Sequence, residues 1–125
     1  MIYRVKLEAG AVCPTQNCLK KSCFFLVSHI REEAVIRALA ERLLAAGCRD
    51  FHFRGDQEGL WHLLFDEVDV ERTLDNDLED VAMTSGYADI ENFAWELRMR
   101  SPQDCCLFYD DAEAYRQVCR SCAED

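Results

Sequence analysis

Five consecutive apolar residues, Cys23-Phe24-Phe25-Leu26-Val27, constrain this chain more than any other stretch. A continuous run that short has no polar side to turn toward water, so it suits a strand covered on both faces. The segments around it show plainer periods. In MIYRVKLEA, Tyr3, Val5, Leu7 and Ala9 alternate with Arg4, Lys6 and Glu8, which predicts a strand with one buried and one wet face. From Ile30 the pattern turns helical. In REEAVIRALAERLLAAG, Val35, Ala38, Leu39, Leu43 and Ala46 recur at helical spacing, acids occupy the first turn, and Gly47 supplies a left-handed stop.

CRDFHFR and GLWHLLF then alternate around a polar, glycine-containing loop and predict a hairpin. Beyond Asp66 the spacing is helical again. Val70, Leu74, Leu78 and Val81 fall on one stripe, expected to face the core, with a break at Asp75-Asn76-Asp77 and an end at Gly86. DIENFAWELRMR predicts a further helix that groups Ile90, Phe93, Ala94 and Leu97, with Trp95 and Met99 on nearly the opposite side. After Ser101-Pro102, CCLFY reads as a short edge strand. DDAEAYRQVCRSC reads as a last helix, with Asp110 and Glu113 at capping-box-like spacing. The expectation is one α+β domain over residues 1–125: a largely antiparallel four-stranded sheet (strand-strand-helix-strand-strand) followed by two or three C-terminal helices. A chain of this length buries roughly two-thirds of the surface it exposes when unfolded.

Charge is distributed unevenly. Residues 1–65 carry nine Lys or Arg against seven acids, and residues 66–125 carry five against seventeen, within an overall charge of −10. The densest part, DEVDVERTLDNDLED at 66–80, has eight carboxylates and only Arg72 to oppose them. Such a field repels nucleic acid and anionic membranes and attracts basic proteins. The first ten residues carry charges at every other position and lack the apolar run of a signal peptide or membrane span, which predicts a cytoplasmic protein. In a reducing compartment the eight cysteines are expected as thiols or metal ligands, not as a disulfide framework.

Several constellations bear on chemistry. In the predicted hairpin His52 opposes His62, near enough to share a metal or phosphate group if the loop is symmetric. Without a nearby carboxylate, lysine or defined pocket they fall short of an acid/base pair, so the expectation is an exposed polar pair. Cys13 and Cys18, with the terminal Cys119-Arg-Ser-Cys122, are candidate ligands for a structural zinc, because two sulfurs from one short turn approach a borderline-soft cation together. The spacing is weak, and buried cysteine is often simply a small hydrophobe. CRSC sits near the end of its helix, where the dipole does not lower a thiol pKa. Nothing in the sequence joins Cys23 or Cys48 to His29 for nucleophilic catalysis. A calcium loop at DNDLED lacks its turn glycine and final glutamate, and Gly55–Gly59 lacks the lysine of a phosphate cradle.

The acidic stretch itself carries the leading expectation: a non-enzymatic binding protein whose carboxylates imitate nucleic-acid phosphates. It would inhibit a basic nucleic-acid-handling enzyme in the manner of an anti-restriction or anti-CRISPR decoy. The expected contact residues are Asp69, Glu71, Asp75, Asp77, Glu79 and Asp80, with Trp95 as an anchor. Direct binding of nucleic acid or membrane is not expected. The second expectation is a zinc-stabilised accessory domain held by Cys13, Cys18, Cys119 and Cys122, and the third a hydrolase or nuclease using His52 and His62.

Overall fold

The computed structural model describes residues 1–8, 10, 13–74 and 80–123. Among the described residues the elements in chain order are β1 (Ile2–Lys6), β2 (Ser22–Leu26), α1 (Glu33–Ala45), β3 (Asp50–Arg54), α2 (Glu58–Thr73), β4 (Met83–Gly86), α3 (Ile90–Arg100), β5 (Cys105–Tyr109) and α4 (Ala112–Ala123). The strands form one sheet in the order β1-β5-β2-β3-β4, with every neighbouring pair parallel.

The antiparallel four-stranded sheet expected from the sequence is therefore overturned: five strands run the same way. The physical reason lies between β3 and β4. GLWHLLF is not the return arm of a hairpin but the start of α2, and its buried residues Trp61, Leu64, Phe65 and Val68 stand at i, i+3, i+4 and i+7, the stripe of an amphipathic helix. The chain leaves β3 through Gly55, whose φ is +132° and where a Cβ would lie 2.2 Å from the Val27 carbonyl oxygen, so no side chain fits. It then crosses over to β4 through the helix, as parallel pairing requires. CCLFY, expected at an edge, is the second strand of the sheet, buried between β1 and β2.

Helices cover both faces. Phe25, Phe51, Phe53, Cys23, Cys106 and Phe108 point to one side, where α1 supplies Ile36, Leu39, Ala40, Leu43 and Leu44 and α2 supplies Trp61, Leu64, Phe65 and Val68. Phe25 is the centre of this layer, stacked on Phe53 at 5.0 Å and on Phe108 at 4.9 Å, with the edge of Phe65 at 5.2 Å. The other side is smaller: Phe24, Leu26, Cys105 and Leu107 meet Phe93, Ala94 and Leu97 of α3 and Val118 of α4. The apolar run at 23–27 is thus covered on both faces, as its composition predicts. Gly47 ends α1 in the left-handed conformation (φ +87°), and Asp89 caps α3 through the Asn92 amide.

The outer stripe of α2 differs from the expectation. Val70 and Leu74, assigned to the core, are 55% and 72% exposed, and Val81 is also exposed. Leu78 lies outside the described residues. The helix is rotated so that Trp61, Leu64, Phe65 and Val68 face inward, and these four bury more apolar area than the alternative stripe offers. No helix among the described residues is long and apolar enough to cross a membrane.

Candidate functional site

An open parallel sheet ordinarily binds ligands beyond the C-terminal ends of its strands, where the strand order reverses. Here that point lies between β2 and β5. It is filled from within. The Asp110 carboxylate accepts the backbone amides of Ser28 (2.8 Å), His29 (3.1 Å) and Ile30 (2.8 Å). These are the kind of amides that hold a phosphate in a nucleotide-binding sheet. Its expected role in capping the last helix falls instead to Asp111, which accepts the Ala114 amide at 3.1 Å. Burial pushes the Asp111 carboxyl up, but the Ala114 amide and the Ser28 hydroxyl outweigh it and hold the group below the usual carboxylate range. The remaining cleft, of about 220 Å³, presents Asp56, Asp111 and Glu113 beside Arg54, a lining unsuited to an anion.

The two histidines do not meet. His52 faces the α3 side, stacked on Phe24 at 4.2 Å, whereas His62 lies on α2 against Phe53 at 5.8 Å, on the other side of the sheet. His52 is buried rather than exposed, with Nε2 2.9 Å from Asp50 Oδ2 and Nδ1 2.7 Å from the Tyr87 hydroxyl. A proton on Nε2 satisfies both contacts. Ser22 Oγ also donates to Asp50 Oδ2, at 2.8 Å. Serine and histidine therefore share one carboxylate, and the hydroxyl is not bonded to the ring, so this is not a nucleophile-and-base pair. Burial pushes the Asp50 carboxyl up, yet the bonds from His52 and Ser22 hold it below its ordinary value. Burial raises the Tyr87 phenol to about 12, assisted by Glu96 and Asp50. The network is a satisfied buried polar cluster.

The four expected zinc ligands are also divided by the sheet. Cys13 and Cys18 belong with the α1–α2 layer, and Cys122, with the rest of α4, belongs with the α3 layer. Among the described residues no group of three or more His, Cys, Asp or Glu side chains is arranged to hold a metal ion.

The acidic stretch gives a mixed result. Asp69, expected to point outward, is 5% exposed; it accepts Arg72 Nη2 at 2.6 Å and the Ala82 amide at 2.9 Å, tying α2 to the strand that follows. Asp80 is gripped by Arg49 through two bonds (3.0 and 3.1 Å) and by Arg72 at 2.9 Å, and these guanidinium groups hold its carboxyl down to about 2. Glu71 lies 3.4 Å from Arg37, which also holds Glu67. Asp66 accepts the Thr84 hydroxyl at 2.7 Å. Asp75, Asp77 and Glu79 lie outside the described residues. Trp95 is half exposed on α3, in the layer opposite α2, and so does not join the acidic helix.

The surface missed by sequence reasoning is the outer side of α2 itself. Leu63, Val70 and Leu74 are exposed at spacings of seven and four residues, which places them on one stripe. Asp66, Glu67 and Glu71 lie beside it. The signal was present in the sequence: Trp61-Leu64-Phe65-Val68 and Leu63-Val70-Leu74 are two competing apolar stripes on one helix, and only one can face the core. No family model, curated protein or solved structure matches this chain.

Proposed function

We propose that the protein is a non-enzymatic acidic binding protein that docks on a basic, nucleic-acid-handling protein and inhibits it, with the outer face of α2 as the contact. The observation that carries this reading is the exposed Leu63-Val70-Leu74 stripe edged by Asp66, Glu67 and Glu71. Large apolar side chains aligned on one helix face supply the desolvated centre that gives an interface its affinity, and an acidic rim selects for a basic partner and speeds encounter. The contact set differs from the one the sequence suggests. Asp69 is occupied inside the fold, Asp80 is shared by two arginines, and Trp95 belongs to another layer. Charge mimicry then acts as steering, while Val70 and Leu74 act as anchors.

The test uses a panel of purified basic nucleases and nucleic-acid-guided effectors. Each is assayed for binding and inhibition by wild type, by Val70→Ser with Leu74→Ser, and by Glu67→Gln with Glu71→Gln. The expected result is stoichiometric inhibition of one enzyme, at least tenfold weaker with the serine variant (about 1.4 kcal/mol or more). The glutamine variant should lose its on-rate and its salt dependence. Equal inhibition by wild type and the serine variant removes α2 as the contact.

A further inference from the structure

Four cysteines from four separate segments converge in the layer beneath α1. In the sheet register Cys23 of β2 lies directly beside Cys106 of β5, on the same face. Cys48, just before β3, donates its thiol to the Cys18 carbonyl oxygen at 2.8 Å and also contacts Cys23. Cys18, in the connection between β1 and β2, places its sulfur 2.8 Å from that of Cys106. That separation lies inside ordinary contact between two sulfurs and only about 0.8 Å beyond a disulfide bond.

We propose that Cys18 and Cys106 are an oxidation site, joined by a reversible disulfide that ties the β1–β2 connection to the interior strand β5. All eight cysteines are thiols in the structure, so the bond requires an oxidant, and a hydroperoxide supplies one. The Cys18 thiolate attacks the terminal peroxide oxygen, the O–O bond breaks, and the alcohol leaves with a proton, giving a sulfenic acid at Cys18. The Cys106 sulfur then attacks the Cys18 sulfur and water leaves with the second proton. Two thiols have lost two electrons, and the peroxide has gained them as alcohol and water. Both thiols are buried, so the reaction waits on opening of the connection around Cys18, beside the half-exposed Cys13. The product closes a long loop of chain and so restricts the unfolded state.

The experiment treats the full chain with hydrogen peroxide, alkylates the remaining thiols under denaturing conditions, and maps the tryptic peptides by mass. The expected product joins the peptide bearing Cys18 to the peptide bearing Cys106, two hydrogens lighter than their sum, and a dithiol reductant separates them. Each of those peptides carries a second cysteine, so fragmentation assigns the bond, and Cys13→Ser and Cys105→Ser retain the linked product while Cys18→Ser and Cys106→Ser lose it. The oxidised wild type also denatures at a higher temperature than the reduced form. The proposal is overturned if Cys18 and Cys106 both remain alkylatable after peroxide, or if the linked peptides join through other cysteines.

Discussion

Asp69 and Glu71 stand two residues apart on α2 and have opposite fates. Asp69 turns inward, takes an arginine and a backbone amide, and holds the chain that leads to β4; Glu71 stays in water, 3.4 Å from Arg37. The same division separates the apolar residues of that helix, with Trp61 wholly buried and Val70 more than half exposed. Composition assigns both members of each pair to one category. What distinguishes them is a rotation of about 100° per residue about the helix axis, and that rotation decides which charges and which apolar groups are available to a partner.

The comparison is most severely tested from the inner side. Trp61 packs against Phe25 and Phe65 and donates its indole N–H to the Ile30 carbonyl oxygen at 3.0 Å. Trp61→Ala should cost about 4 kcal/mol of stability in urea titrations. A loss below about 1 kcal/mol would mean that the helix is seated differently. Asp69→Asn comes next. It weakens a buried charge-assisted bond and should cost about 2 kcal/mol, whereas Glu71→Gln should stay within about 0.5 kcal/mol. Equal costs for the two would erase the distinction between inner and outer acids.

The smallest effect concerns pH. Bonds from Arg49 and then Arg72 hold the Asp80 carboxyl down to about 2, below its ordinary 3.8. A depressed folded-state pKa means that the stabilising contribution is fully present above the ordinary value and is lost as pH falls through the folded one. Urea midpoints recorded between pH 4 and pH 2 should therefore fall less steeply for Asp80→Asn than for wild type. Identical slopes would show that the two arginines do not act on this carboxylate in solution.

Much of the local structure was legible beforehand, and the reasons are local. The 23–27 run announced a strand buried on both sides, Gly47 announced the end of a helix, and the spacing within 90–100 announced α3. The failures concern pairing. Two-sided burial of that run is itself a mark of parallel sheets, but GLWHLLF, short and almost wholly apolar, satisfied both a strand and a helix reading. Choosing the strand produced the hairpin, and with it the antiparallel sheet and the apposed histidines. Reading 66–81 as a fresh helix then set the wrong stripe, because α2 in fact begins at Glu58 and its inward side is fixed by Trp61 and Phe65. For the candidate site, the acids were legible as charge but not as partners. Arg72 lies three residues from Asp69, a contact the spacing allows, whereas Arg37, Arg49 and the Ala82 amide arrive only through the fold. The cysteine cluster needed strand register, which no local pattern carries.

The three amides around Asp110 amount to a receptor whose guest is tethered to the receptor's own chain. A tethered guest is present at an effective concentration that a freely diffusing anion rarely matches. A phosphate compound arriving at this end of the sheet would have to displace a group that cannot leave. Any change of this fold toward nucleotide chemistry would therefore have to begin at position 110. While aspartate occupies it, an arriving anion finds the amides of Ser28, His29 and Ile30 already taken.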